Sequence, residues 1–104
     1  MDDINKHLPL KEKEFYIMAA LKDEPLYGYA AIKKIESLES IKLGSATFYR
    51  LLKKLIDNGL VEEIDRLAVD DEPRRFFRLS GLGEYVVDAE GLRRSQNLAS
   101  LGFS

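Results

Sequence analysis

Apolar side chains recur at helical spacing between Pro9 and Pro25. A repeat of three or four positions puts them on one stripe, which predicts an amphipathic helix. Pro9 suits the first turn of this helix, and Pro25 limits its continuation. The stripe comprises Leu10, Glu14, Ile17, Met18 and Leu21.

The same spacing predicts a second, shorter helix from Leu26 to Leu38. Tyr27 and Tyr29 are expected to pack this helix, and the alternative for one of their hydroxyls is a contact with phosphate. The buried side of this helix comprises Ala31, Ile32, Ile35 and Leu38. A short connection follows, in which Ile41 and Leu43 are expected to point inward.

The clearest periodicity lies in "GSATFYRLLKKL", which begins at Gly44. Gly44 or Ser45 is expected to cap this third helix, and Gly59 to end it, because glycine readily adopts the left-handed conformation of a helix stop. The apolar positions follow the spacing i, i+3, i+4, i+7 and i+8 of a core face. This face comprises Phe48, Leu51, Leu52, Leu55 and Ile56.

After Gly59 the pattern changes to short runs of branched and aromatic residues, which predict a β-hairpin from about Val61 to Leu79. The "DDEP" between the runs is typical of a turn. Alternate residues of the second strand lie on opposite faces. One face carries Arg75, Phe77 and Leu79, and the other carries Arg74, Phe76 and Arg78.

Ser80 is expected to cap a last helix, from about Gly81 to Leu101, whose apolar stripe is interrupted at Gly91. A terminal amphipathic helix in so small a domain often has nothing of its own left to cover, so we expect it to pair with a second copy of the chain. The alternative is that it folds back on the first helix. The predicted dimerisation residues are Leu82, Tyr85, Val86, Ala89, Leu92, Leu98 and Leu101.

Three helices followed by a hairpin is the order of a winged helix-turn-helix, a mainly α (α+β) fold whose third helix enters the major groove of DNA. Arg50 and Lys53 lie roughly 140° to 200° around that helix from Phe48, opposite its core face. We therefore expect a DNA-binding domain over residues 1–80 and a dimerisation helix over 81–104. The candidate DNA contacts are Ser45, Thr47, Tyr49, Arg50, Lys53, Lys54, Arg74 and Arg75.

The formal net charge of −2 hides a segregated distribution. The charged residues from Ile41 to Ile56 are all basic, those from Asp57 to Glu72 are mainly acidic, and those from Pro73 to Leu79 are basic again. A weakly acidic chain with two basic islands can still meet DNA through them. Asp70, Asp71 and Glu72 would be repelled by phosphate if the tip of the wing touched DNA. We therefore expect either that the tip stands clear of DNA or that the wing contacts are weak.

Length and composition exclude several kinds of protein and site. A chain of 104 residues, 45% hydrophobic and 33% charged, suits one globular domain. It has no cysteine for a disulfide or thiolate site and no apolar run that could span a membrane, so a cytoplasmic location is expected. His7 is the single histidine and lies near a terminus, so no plausible histidine base accompanies the serine and threonine hydroxyls. We therefore expect no metal, no cofactor and no enzyme activity.

Three motifs resemble the PadR family of bacterial transcriptional regulators. "EPLYGYAAIKKIE" is similar to the family's "GPLHGYELIKRLE", "ATFYRLLKKLIDNGLVEE" to "GTLYRALKRLEEEGLVEE", and "RRFFRLSGLGE" to "RRYYRLTEEGR". Together they cover about Glu24 to Glu84. The positions that match the family are Gly28, Tyr29, Thr47, Tyr49 and Arg50. Phe48 replaces a leucine, and Gly44-Ser45-Ala46 replaces Ser-Pro-Gly.

The resemblance implies a winged helix fold, a homodimer made through the C-terminal helix, and repression of a promoter that is relieved when a small molecule binds. The expected partners are a double-stranded operator with an inverted repeat, a second copy of the chain and a small aromatic effector. Two alternatives stay open. One is a winged domain that contacts only proteins, and the other is a ligand sensor that does not act through DNA.

Overall fold

The computed structural model describes residues 4–39, 41–69 and 72–102. A short 3-10 helix precedes four α-helices and three β-strands in the described chain, and this mainly helical order confirms the predicted winged helix architecture. The elements, in chain order, are the 3-10 helix Ile4–His7, α1 Glu12–Leu21, β1 Leu26–Tyr27, α2 Gly28–Glu39, α3 Ser45–Asp57, β2 Val61–Val69, β3 Glu72–Leu79 and α4 Gly81–Ser100.

The core lies between α1, α2 and α3, with the sheet and the first half of α4 packed around it. The predicted core face of α3 is confirmed, because Phe48, Leu51, Leu52 and Leu55 are buried and Ile56 is partly buried. Leu43 is buried as well, and Ile41 packs against the core. Leu38 was predicted to be buried but is 67% exposed, since it lies in the last turn of α2 at the rim of a shallow cleft.

The ends of α1 and α3 follow from local hydrogen bonding. α1 begins at Glu12, later than predicted, because Lys11 is extended and its N–H donates to the Glu14 carboxylate at 3.0 Å. α3 ends in a Schellman motif. The Gly59 N–H donates to the Ile56 carbonyl, and the Leu60 N–H donates to the Leu55 carbonyl. Gly59 has a φ of +76°, so its predicted role as the helix stop is confirmed.

The sheet is antiparallel and three-stranded, in the order β1-β3-β2. The predicted hairpin is confirmed, with Val61 opposite Leu79 and an irregularity between Ile64 and Leu67. The predicted turn is partly wrong, because Glu72 and Pro73 belong to β3; Asp70 and Asp71 lie outside the described residues.

The third strand, β1, was not predicted. Leu26 and Tyr27, assigned above to the second helix, pair instead with Phe77 and Phe76 of β3. This pairing needs the edge of β3 that β2 leaves free. That edge comes next to Leu26 and Tyr27 only when the hairpin packs beside α2.

α4 begins as predicted, since the Ser80 hydroxyl accepts a hydrogen bond from the Gly83 N–H at 2.9 Å and donates to the Gly59 carbonyl at 2.6 Å. Halfway along α4, the buried carboxylate of Glu90 accepts from the Leu10 N–H at 3.3 Å and pairs with two arginines. Those arginines are Arg93 and Arg94, and Arg94 also donates to the Leu10 carbonyl. This network fastens α4 to the segment that precedes α1.

Candidate nucleic-acid interface

The start of α3 is open to solvent. Gly44 is the N-cap residue, and no side chain caps the first N–H groups of the helix. Ser45 and Ala46 are exposed, and Thr47 is half-buried. Because uncapped N–H groups at a helix N-terminus carry partial positive charge, this end suits an anion such as phosphate.

The outward face of α3 carries two cations, as the helical spacing predicted. Arg50 is exposed, and no carboxylate of the described residues lies within ion-pair distance of it. Lys53 is exposed and forms an ion pair with Asp57 one turn later, at 2.8 Å. The hydrogen bond from Lys53 to Asp57 raises the pKa of Lys53, which therefore stays charged. Surface pairs of this kind are weak, so Lys53 can exchange its partner.

Lys54 lies about 40° around α3 from Arg50, but its side chain reaches back to α1. Its ammonium is 2.8 Å from the carboxylate of Glu14, which is buried in α1. Burial alone would raise the pKa of Glu14, but the bonds from Lys54 and the Lys11 N–H outweigh it and lower that pKa. Lys54 is thus paired with a buried carboxylate of α1, whereas Lys53 is paired with an exposed carboxylate of its own helix.

Tyr49 is positioned by a glycine of another helix. A Cβ built on Gly28 would lie only 2.0 Å from the Tyr49 hydroxyl, so the tyrosine occupies space that any other residue would fill. The Tyr49 ring also meets Phe48 edge-on, with ring centroids 5.1 Å apart. These contacts hold the ring of Tyr49 between Gly28, at the start of α2, and Phe48 of its own helix. Tyr49 is 45% exposed.

Three elements meet around that tyrosine in a cleft of about 250 Å³, which we call the tyrosine cleft. α2 contributes the exposed ring of Tyr29, although this residue was predicted to pack its helix. Lys33 lies 5.4 Å from the Tyr29 ring, and Arg74 lies 5.8 Å from the ring of Tyr27. The lining residues are Tyr27, Tyr29, Tyr49, Pro73, Arg74 and Arg75, around Gly28.

The basic residues of the wing are paired with acids. Arg75 binds Glu63 of β2, Arg78 binds Glu62, and Arg74 binds Glu72, at 2.5, 3.0 and 3.0 Å. The bond to Glu63 raises the pKa of Arg75. The basic island of the sequence is therefore electrically balanced in the fold. The spacing of charges did not reveal the pairs of Arg75 and Arg78, because these form across the hairpin.

α4 carries most of the residues predicted for dimerisation on its surface. Leu82 and Ala89 are half-buried. Val86 is an exception, because it is 0% exposed and packs into the core of its own chain, where no partner reaches it. The exposed members are Tyr85, Leu92, Leu98 and Leu101, at 72%, 60%, 53% and 74%.

The part of the chain that the structure describes contains no group of three or more histidine, cysteine or carboxylate side chains that could hold a metal ion. No helix of that part is both long and apolar enough to cross a membrane.

α3 has a buried face and a basic outer face, α2 packs against it, and the hairpin of β2 and β3 lies beside it. This arrangement defines a winged helix-turn-helix domain. Residues 17–89 match the model of the transcriptional regulator PadR-like family. The chain therefore belongs to the PadR-like family of transcriptional regulators, and the resemblance inferred from the three motifs is confirmed. No curated protein matches the sequence significantly.

Solved structures share the fold over nearly the whole chain. A PadR-like transcription factor from Bacteroides fragilis is 22% identical, with 97% of each chain covered and a TM-score of 0.77. A Streptococcus transcriptional regulator is 20% identical, with 98% of this chain and 96% of that chain covered and a TM-score of 0.78. Bacillus subtilis PadR, solved in complex with operator DNA, is 20% identical with a TM-score of 0.65, and the match covers 78% of this chain and 47% of that protein.

Proposed function

We propose that this regulator binds DNA as a dimer, with α3 in the major groove. The observation that carries the proposal is the outward face of α3. There Arg50 and Lys53 stand exposed beside an uncapped helix start, while the opposite face is buried in the core. Bacillus subtilis PadR, which shares the fold, was solved with its operator, and this supports the proposal.

Each exposed group has a role in such a complex. Arg50 reaches base edges, where a guanidinium distinguishes guanine from other bases. Ser45, Thr47, Tyr49 and Lys53 contact the phosphates that flank the groove, and Arg74 and Arg75 of the wing contact the same stretch of backbone. Lys54 contributes least in this arrangement, because Glu14 already holds its ammonium.

The dimer supplies the symmetry of the operator. Apolar surface is exposed along α4 and at its C-cap, at Tyr85, Leu92, Leu98 and Leu101, and a second copy of α4 covers it. A two-fold dimer presents two copies of α3, and its operator is accordingly an inverted repeat. The protein acts in the cytoplasm. It represses transcription, and a small aromatic effector releases it from DNA. Repression and release by an effector rest on the resemblance to the family.

Selection of binding sequences from a pool of random duplexes tests the proposal, and it does not require that the operator be known. We expect an enriched inverted repeat, and Arg50→Ala should weaken binding to it by about 10- to 100-fold, as for the loss of a base contact. Lys13→Ala removes an exposed lysine of α1 that does not line the tyrosine cleft, so it should bind like the wild type. If no repeat is enriched, or if both variants lose affinity equally, α3 is not a recognition helix.

A second candidate function is a winged domain that contacts only proteins. The pairing of Arg74, Arg75 and Arg78 with carboxylates favours it, because these cations are already neutralised. This candidate predicts no salt-dependent binding of any duplex, whereas the affinity of a DNA-binding regulator falls steeply as salt rises.

A further inference from the structure

Glu63 engages Arg75 at the wall of the tyrosine cleft. Arg75 Nε lies 2.5 Å from Glu63 Oε1, and its Nη2 lies 3.3 Å from Oε2, so the carboxylate occupies two donors of the guanidinium. Both side chains remain partly exposed, at 49% and 39%. An anion that enters the cleft therefore meets an arginine that is already bound but still accessible.

The guanidinium is also held in place from the side. It lies 5.3 Å from the ring of Phe77, which is buried in the core. Arg75 is thus oriented toward the cleft, whose wall also carries the ring of Tyr49. A phosphate offers the same forked pair of oxygens as a carboxylate, and tyrosine hydroxyls can donate to its remaining oxygens.

We infer that the tyrosine cleft receives one phosphodiester group of the DNA backbone, and that this group displaces Glu63 from Arg75 as the complex forms. The inference rests on the proposed function, since it identifies a contact of the same surface. Glu63 lowers the affinity of the protein for DNA in two ways. It competes for the arginine, and after displacement it stays as a negative charge beside the phosphate.

The hairpin contains a matched control for this inference. Glu62 is adjacent to Glu63 in β2 and pairs with Arg78 at 3.0 Å, with comparable exposure of both side chains. Because neighbouring strand residues point to opposite faces, the pair of Glu62 and Arg78 lies on the other side of the hairpin. Arg78 lines a separate cleft beside Glu84, on the α4 side of the molecule.

The experiment compares Glu63→Gln with Glu62→Gln in binding to a mixed-sequence duplex over a range of salt concentrations. Both variants gain the same net charge, so a general electrostatic effect is equal in the two. We expect Glu63→Gln to raise the affinity by about three- to tenfold and Glu62→Gln by less than about twofold. The salt dependence of Glu63→Gln should be steeper by up to about one unit of slope, because the variant presents Arg75 to the phosphate without a charged carboxylate beside it.

Two further variants identify the mechanism. Glu63→Asp keeps the charge, so it should not reproduce the gain of Glu63→Gln. The double variant Glu63→Gln/Arg75→Gln should lose that gain, because the released arginine is its source. Equal melting temperatures of the variants and the wild type verify that the fold is kept.

The outcomes separate the two proposals. If the wild type binds the duplex but the Glu63→Gln and Glu62→Gln variants gain equally or not at all, the displacement of Glu63 is wrong and DNA binding by α3 stands. If neither the wild type nor Glu63→Gln binds any duplex, the proposed function itself is wrong.

Discussion

Gly28 and Tyr49 illustrate how single residues define the site. The helical spacing assigns Gly28 only to a helix start and Tyr49 only to the outer half of α3. The fold brings them together, so that the tyrosine hydroxyl occupies the place of a glycine side chain. The glycine at position 28 therefore decides where the Tyr49 hydroxyl lies.

Gly28→Ala should reduce the free energy of unfolding by about 1–3 kcal/mol, because the added methyl group overlaps the Tyr49 ring or displaces it. Chemical denaturation measures the loss. Gly91→Ala is the matched control, since its Cβ meets nothing within 4 Å and it lies inside α4. It should stabilise the protein by roughly 0.5–1 kcal/mol. A neutral Gly28→Ala variant with unchanged DNA affinity would contradict the role of this contact.

At the scale of elements, local periodicity predicted the helices well and the small sheet only in part. The core face of α3, its glycine stop and the serine cap of α4 depend on neighbours within a few residues, so they could be predicted from the sequence. β1 could not, because two residues form a strand only beside an existing edge. The anchor between α4 and the N-terminal segment joins Leu10 to Glu90, and no local pattern indicates such a pair.

That anchor makes stability depend on pH. The hydrogen bond from Arg93, with further bonds from Arg94 and the Leu10 N–H, lowers the pKa of Glu90 to about 2, although burial opposes this. The unfolded chain binds a proton at Glu90 more readily than the folded chain does. Its contribution is therefore complete above the unfolded value of 4.5 and disappears as the pH falls toward about 2.

Glu90→Gln should lower the free energy of unfolding at neutral pH by about 2–3 kcal/mol, because the variant loses the charge that the two arginines stabilise. Denaturation at a series of pH values measures this difference, which should shrink as the pH falls from 4.5 toward about 2. Glu24→Gln, at an exposed carboxylate before β1, should differ little from the wild type at any pH. A constant difference across this range would show that Glu90 acts by packing rather than by charge.

At the scale of the whole molecule, the segregated charges of the sequence become pairs in space. Glu62 and Glu63 balance Arg78 and Arg75 across the hairpin, and this leaves Arg50 as the prominent unpaired cation of the described α3 surface. The apolar residues of α4 show the opposite behaviour. Val86 is buried within its own chain, while Leu92 and its exposed neighbours have no cover in the single chain.

Leu92→Glu should convert the proposed dimer to a monomer without unfolding it, because this leucine is 60% exposed in the single chain and a charge there would be buried in the proposed interface. Sedimentation velocity measures the association state, and circular dichroism measures the helical content. Gln96→Glu adds the same charge to an exposed polar position of α4 and should remain dimeric. A wild type that sediments as a monomer would contradict the proposed dimer.

The four α-helices, the hairpin, the family and the basic outer face of α3 could all be predicted from the sequence. These features depend on the repeat of the backbone or on short motifs, and both are local in the chain. Three contacts became visible only in the folded chain: Tyr49 packs on Gly28, Lys54 pairs with Glu14, and Glu63 pairs with Arg75. Each of these contacts joins elements whose separation is set by how they pack, and spacing along one element carries no information about that distance.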